Sequence, residues 1–216
     1  MNILVFAPHP DDAAISCGGT IAKLSKKNKV TVVYMTGGGG GSISVSEKKL
    51  VKLRKEEAKK SAKILGVKKT VFLGEPDGFL EFNKKTRQKV ITIIRKEKPG
   101  LIFAPYANDR HTDHKTTAKL VLDSVWKASG PWHMDAGKKP WRTERVLMYE
   151  TWTPIQEPEH FEDISKTISK KVKAINCFKS QVKDINYAEA AKGLNRFRGV
   201  MSGVGNYCEC FEVKEA

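Results

Sequence analysis

The chain has 216 residues, 40% hydrophobic and 29% charged, which suits one folded domain spanning residues 1–216. No apolar run approaches the roughly 18 residues of a membrane-spanning helix, so this composition argues against an integral membrane protein. The formal net charge of +15 comes from lysine-rich segments spread along the chain. Because no zinc finger, helix-turn-helix or RNA-binding aromatic motif accompanies them, we expect a solvated basic surface and no specific nucleic-acid partner.

The first apolar run, Ile3–Ala7, is short and lacks the basic segment and the cleavage site of a signal peptide. It therefore predicts a buried first strand, and we expect a cytoplasmic protein. Further runs with strand character follow in chain order at Val30–Met35, Thr70–Leu73, Leu101–Ala104, Arg145–Tyr149 and Cys208–Val213.

Segments with helical periodicity lie between these runs. They extend from near Asp12 to Leu24, and over Glu47–Leu65, Lys84–Lys98, Asp113–Ala128 and Asp163–Lys179. Strands that alternate with helices of this length indicate βαβ units. The sequence therefore predicts an α/β fold with a mainly parallel sheet covered on both faces.

Five consecutive glycines, Gly37–Gly41, follow the second apolar run. They lack the lysine and the serine or threonine that complete a phosphate-binding P-loop. Two interpretations stay open, namely a flexible loop over an active site and a length of chain without a function.

Polar residues with metal-binding chemistry follow two of the predicted strands. The segment Pro8-His9-Pro10-Asp11-Asp12 comes after the first, and the segment from Asp109 to His114 comes after the fourth. Ligands of open α/β sheets bind at the carboxyl ends of the strands, so we expect these segments to meet there. A histidine and a carboxylate from one segment and a histidine from the other make a three-ligand set, typical of catalytic zinc and also of non-haem iron.

The neighbouring carboxylates Asp11 and Asp12 can divide two roles. If one binds the metal, the other is free to act as a general base toward a metal-activated water. His111, if protonated above the same site, would stabilise a developing oxyanion or protonate a leaving amine. Asp113 would orient a histidine by accepting its other ring proton. An aspartate of either segment alone is also typical of a helix N-cap, but two such segments at one edge favour a metal site.

The two segments resemble the motifs of the PIG-L/LmbE-like family of zinc-dependent de-N-acetylases. The family's motifs are Ala-His-Pro-Asp-Asp-Glu and His-x-Asp-His, which appear here as Pro8-His9-Pro10-Asp11-Asp12 and His111-Thr112-Asp113-His114. The resemblance covers most of the chain, and Asp109-Arg110 with Arg142 looks most like the bacillithiol-type branch. Weaker similarities lie at Arg54-Lys55-Glu56-Glu57, Leu73-Gly74-Glu75-Pro76-Asp77 and Ser180-Gln181.

The resemblance implies one LmbE-like domain with a Rossmann-like three-layer α/β/α sandwich, and it assigns the site residues. The implied ligands of Zn²⁺, with Fe²⁺ as the alternative, are His9, Asp12 and His114. Asp11 would be the general base, and His111 would stabilise the tetrahedral intermediate with Asp113 behind it. The implied substrate contacts are Arg54, Asp77 and Arg142.

One position departs from the family pattern. The acidic residue that usually follows the paired aspartates is replaced here by Ala13. Since this position is not among the implied ligands, we expect the departure to alter local support rather than remove activity.

The resemblance implies an N-deacetylase, a hydrolase of linear amides, that acts on a small N-acetylglucosamine-type substrate and releases acetate and an amine. Several family members are oligomers, which leaves a homo-oligomer open. Two alternative functions also stay open. One is an amidase acting on a related sugar–thiol conjugate, and the other is a non-catalytic sugar-binding module that retains the metal site.

Overall fold

The computed structural model describes residues 1–215, and over residues 2–128 the strands and helices alternate as the sequence predicts. The strands are β1 (Asn2–Ala7), β2 (Lys29–Thr36), β3 (Lys69–Glu75), β4 (Leu101–Pro105), β5 (Arg145–Tyr149), β6 (His160–Asp163) and β7 (Cys208–Glu215). The helices are α1 (Asp12–Leu24), α2 (Glu47–Leu65), α3 (Lys84–Glu97), α4 (Thr112–Ala128), α5 (Ile168–Ile175), α6 (Lys179–Val182) and α7 (Tyr187–Ser202).

The strands form one sheet in the order β3-β2-β1-β4-β5-β7-β6. Parallel ladders join β1 to β2 and β4, β2 to β3, and β4 to β5, whereas β7 runs antiparallel to both of its neighbours. The mainly parallel sheet is thereby confirmed. None of the helices among residues 1–215 has both the length and the hydropathy that a transmembrane helix requires.

Helices cover both faces of the sheet because successive side chains of the central strands point to opposite sides. In β1, Val5 and Ala7 pack into a core with α1, α2, α5 and α7, and Leu4 and Phe6 pack into a second core with α3 and α4. Ala13 lies in the first of these cores. The three-layer α/β/α sandwich is therefore confirmed, and Ala13 has a packing role.

The C-terminal third differs most from the sequence prediction. The predicted helix Asp163–Lys179 begins only at Ile168, because Asp163 ends β6 and its Oδ1 accepts a hydrogen bond from the Ser165 backbone N–H at 2.9 Å. β6 has only four residues, all half-buried, so it carries no clear alternation of apolar and polar residues. α7 was not predicted because the apolar stripe of its first half, Tyr187 to Leu194, continues into the polar positions Asn195 and Arg198.

α1 departs from helical geometry at Cys17, where φ is −127° and ψ is 24°. The backbone N–H groups of Gly19 and Thr20 beyond this break donate to the Glu209 carboxylate at 2.9 and 2.7 Å. The Lys171 ammonium, which is fully buried, donates to Glu209 at 2.7 Å and to the Ser16 carbonyl at 3.2 Å. A buried ion pair thus satisfies the backbone groups that the break would otherwise leave without partners.

Candidate active site

The segments that follow β1 and β4 lie side by side because these two strands are parallel neighbours in the sheet. The ring centroids of His9 and His114 are 5.4 Å apart, and the His111 ring lies 4.8 Å from the first and 5.0 Å from the second. Residues separated by about a hundred positions in sequence therefore form one cluster at the carboxyl edge of the sheet.

Three buried side chains bring potential ligand atoms together. Asp12 Oδ2 lies 3.1 Å from His9 Nδ1 and 3.2 Å from His114 Nε2, and the ligand atoms of all three residues lie within 4.8 Å of one another. Neither ring nitrogen of His114 has a hydrogen-bond partner among residues 1–215, although the side chain is fully buried. Because buried polar atoms are normally satisfied, this arrangement fits a cation held by His9, Asp12 and His114.

The remaining nitrogen of His9 is oriented by carboxylates. His9 Nε2 lies 3.0 Å from Asp77 Oδ1 and 3.2 Å from Asp113 Oδ2, which leaves Nδ1, on the side of Asp12, as the nitrogen placed to bind a cation. Asp113 also accepts hydrogen bonds from the backbone N–H groups of Gly78 and Leu80 at 2.8 and 3.2 Å. The carboxylate expected behind His111 thus contacts His9.

A second group, His9 with His111 and Asp113, also places ligand atoms within 4.8 Å of one another. Its Asp113 carboxylate is already engaged by two backbone N–H groups and by His9, and its His111 Nδ1 accepts a backbone hydrogen bond. In the group of His9, Asp12 and His114, both ring nitrogens of His114 lack a hydrogen-bond partner among residues 1–215. This group therefore fits a cation better.

Asp109 supports the other side of His114 and is absent from the predicted site residues. Its carboxylate is fully buried and lies 3.7 Å from His114 Nδ1, which is an ion-pair distance but too long for a hydrogen bond. It also accepts the backbone N–H groups of His111 at 2.8 Å and Trp152 at 3.0 Å. Burial lowers the pKa of His114, but Asp12 and Asp109 outweigh burial and raise that pKa to about 9.

Asp11 and Arg54 form a buried ion pair in the wall of the site. Arg54 Nη2 donates to Asp11 Oδ1 at 2.5 Å, and Arg54 Nη1 donates to the Gly38 carbonyl at 3.0 Å. Within residues 1–215 the other carboxylate oxygen of Asp11, Oδ2, receives no hydrogen bond, and Asp11 lines the cavity. Arg54 therefore fixes the carboxylate by one oxygen and leaves the other available.

The glycine run Gly37–Gly41 lies beside the candidate site, where Gly40 and Gly41 line the cavity and Gly38 and Gly39 are buried. Gly38 has φ +65°, and a side chain there would overlap the Arg54 guanidinium. The Gly40 backbone N–H donates to Asp77 Oδ2 at 2.8 Å. The glycines allow the backbone to approach Arg54 and Asp77 closely and to form one wall of the cavity.

His111 is the N-cap of α4, and its Nδ1 accepts a hydrogen bond from the Asp113 backbone N–H at 3.2 Å. Burial lowers the pKa of His111, and the neighbouring His9 and His114 lower it further. Both observations favour a neutral imidazole with its proton on Nε2, rather than the protonated ring considered from the sequence.

The cavity beside these groups contains residues that the sequence reasoning left out or assigned no role. Its volume is about 330 Å³, and the further lining residues are Ile15, Gly78, Trp152, Gln181 and Tyr187. Gln181 was noted only as part of the family resemblance, and Trp152 and Tyr187 lie in segments without a recognised motif.

Arg142 is a predicted site residue that the structure places away from the histidine cluster and its cavity. It is exposed and precedes the amino end of β5, where Trp141 Nε1 donates to the Pro99 carbonyl at 2.8 Å. The site lies at the carboxyl ends of the strands, so Arg142 is at the opposite edge of the sheet.

A family model described as PIG-L, GlcNAc-PI de-N-acetylase, matches residues 4–125, which is more than half of the chain and contains both histidine segments. The chain belongs to the PIG-L family.

Relatives of this PIG-L family member include the diacetylchitobiose deacetylase of Thermococcus kodakarensis, 36% identical over 191 residues that cover 83% of this chain and 70% of that protein. A probable N-acetyl-alpha-D-glucosaminyl L-malate deacetylase 2 of Bacillus cereus is 27% identical over 83% of both chains. The solved N,N'-diacetylchitobiose deacetylase from Pyrococcus horikoshii is similar with a TM-score of 0.90 at 32% identity, over 99% of this chain and 84% of that one. The likeness to PIG-L deacetylases therefore extends over the whole fold.

Proposed function

We propose that this protein is a metal-dependent N-deacetylase that hydrolyses the N-acetyl group of a small N-acetylglucosamine-type substrate. The observation that carries the proposal is the buried cluster of His9, Asp12 and His114 beside the available carboxylate oxygen of Asp11. Membership in the PIG-L family and the deacetylase names of its relatives support the reaction and the substrate class.

Zn²⁺ is the proposed metal, with Fe²⁺ as the alternative, because two imidazoles and one carboxylate with open positions are typical of catalytic zinc and occur also at non-haem iron. Such an ion supplies Lewis-acid polarisation of the amide carbonyl and lowers the pKa of a water to about 7. His9 lies in the short connection between β1 and α1, Asp12 is the first residue of α1, and His114 lies in the first turn of α4. The starts of two helices and the connection before one of them thus hold the ligand set.

Asp11 acts as the general base in this proposal. Its Oδ2 accepts a proton as water oxygen attacks the amide carbon, and it returns the proton to nitrogen as the C–N bond breaks. The products are acetate and a free amine. Arg54 holds the Asp11 side chain in place through Oδ1 during both transfers.

His111 contributes a hydrogen bond to the reacting carbonyl oxygen. With Nδ1 accepting from the Asp113 backbone, the Nε2–H group is the one left to donate. A fixed donor stabilises negative charge that develops on this oxygen in the transition state. Asp113 and Asp77 orient His9, and Asp109 orients His114, so all three carboxylates act through the metal ligands.

Exchanging Asp109 for asparagine should weaken metal binding by about 10–100-fold, because the carboxylate that orients His114 is replaced by a neutral group. A competition titration with a chromophoric chelator measures the metal Kd directly. The matched control is Asp184→Asn, an exposed exchange of the same kind. A Kd equal to that of the wild type would show that Asp109 does not position His114.

Arg54 was expected to contact substrate, and its ion pair with Asp11 suggests a positioning role that kinetics can separate from substrate binding. Arg54→Met should lower kcat by about 10²-fold with a small change in KM, because the base loses its fixed geometry. Arg54→Lys should recover part of the kcat. A variant that raises KM at unchanged kcat would instead assign Arg54 to substrate binding.

The function is tested by incubating the purified, zinc-loaded protein with N-acetylglucosamine and N,N'-diacetylchitobiose and measuring both acetate and primary amine. We expect equimolar release of the two products, and we expect loss of activity after chelation and recovery on adding Zn²⁺. Substrate binding without release by the metal-loaded protein would favour a sugar-binding module. Cleavage of sugar–thiol conjugates alone would favour the amidase alternative.

A further inference from the structure

An apolar alcove opens beside the catalytic cavity, between α1, α7 and the segment that follows β5. We define the alcove by six of its lining residues, Ile15, Trp152, Tyr187, Ala190, Ala191 and Leu194. Ile15, Trp152 and Tyr187 also line the catalytic cavity, so the two spaces adjoin at these side chains.

The wall that α7 contributes is a single stripe of the helix. Tyr187, Ala190, Ala191 and Leu194 recur at intervals of three and four residues, which places them on one helical face. The Tyr187 ring meets the Trp152 ring edge-on at a centroid distance of 5.9 Å. Small alanines in the middle of the stripe leave the space open between larger apolar neighbours.

The polar groups at the back of the alcove are already satisfied. Ser16 Oγ and Thr151 Oγ1 are hydrogen-bonded to each other at 2.8 Å. The Glu150 carboxylate accepts from Arg198 Nη2 at 2.7 Å and from the Ile155 backbone N–H at 2.8 Å. The alcove therefore offers a ligand apolar contact and no free charge.

We propose that the alcove binds an apolar aglycone, aryl or alkyl, of the glucosaminide whose N-acetyl group the site removes, an inference that rests on the deacetylase function proposed above. Ile15 lies one turn after Asp12 on α1. A substrate substituent that extends from the reacting centre past Ile15 and Trp152 therefore enters the alcove. The acetyl group is small and the sugar ring is polar. The aglycone is then the part of the substrate that can supply apolar surface.

The test compares kcat/KM for the methyl and the phenyl glycosides of N-acetylglucosamine with the zinc-loaded protein. The wild type should prefer the phenyl glycoside by roughly tenfold or more, because the ring buries apolar area in the alcove. Ala190→Phe, at an exposed position of the stripe, fills the alcove and should abolish this preference. Met201→Phe, on an exposed part of α7 outside the alcove, should retain it.

Equal kcat/KM values for the two glycosides in the wild type, or an undiminished preference in Ala190→Phe, would overturn the aglycone assignment while leaving the deacetylase function intact. Two other results overturn it in favour of another occupant. One is a preference for a longer N-acyl chain that Ala190→Phe removes, and the other is a preference for diacetylchitobiose over both glycosides. Failure to release acetate from any glucosaminide would overturn the proposed function and the aglycone assignment together.

Discussion

Replacing Asp11 by asparagine is expected to lower kcat by about 10²–10⁴-fold while the protein retains its full content of metal. Asparagine has nearly the same shape and keeps an oxygen that can accept from Arg54, but it cannot take a proton from water. The two carboxylates of this segment make different contacts, because Asp11 pairs with Arg54 whereas Asp12 faces His9 and His114. This variant should therefore lose turnover without losing metal.

The comparison requires kcat from acetate release and metal content from elemental analysis on the same preparation. Asp12→Asn is the matched control, since the same chemical change one residue later should reduce metal content as well as turnover. A kcat for Asp11→Asn close to that of the wild type would remove Asp11 from the mechanism and would leave the metal-site assignment standing.

Lys171→Met is expected to lower the free energy of unfolding by about 3–5 kcal/mol, because it leaves the buried Glu209 carboxylate without its cation. The side chains of Lys171 and Glu209 are each 1% exposed, and together they satisfy backbone groups on both sides of the break in α1. The exposed pair of Lys59 and Glu56 provides the control, and Lys59→Met should cost at most about 1 kcal/mol.

Urea denaturation of the metal-free proteins measures this difference without a contribution from bound metal. The double variant Lys171→Met with Glu209→Gln should be more stable than Lys171→Met alone, since the unpaired charge is then gone. A loss below about 1 kcal/mol in Lys171→Met would mean that the ion pair does not support the break.

The strands and the convergence of His9 with His114 were predictable because they depend on local pattern and on one topological rule. A short apolar run such as Leu101–Ala104, flanked by helical segments, indicates a parallel strand, and parallel neighbours present their carboxyl ends at one edge. The adjacency of β1 and β4 then brings together two segments that the sequence keeps far apart.

The partners of these residues were not predictable in the same way, because they depend on side-chain directions across long sequence separations. The pairing of Asp11 with Arg54 joins a loop to the middle of α2, and Asp113 contacts His9 from the start of α4. Asp109 stands next to the second motif, yet its role depends on its burial beneath His114. Arg142 carried no structural signal beyond the family resemblance, and its loop leads to the opposite edge of the sheet.

Anomalous diffraction at the zinc absorption edge from a crystal of the zinc-loaded protein tests the metal centre most directly. A single strong peak should lie about 2.0–2.2 Å from His9 Nδ1, an Asp12 oxygen and His114 Nε2, with Asp11 beside it but not bound. A peak that lies instead between His9, His111 and Asp113, or one away from all of these histidines, would contradict the assignment of ligands and base.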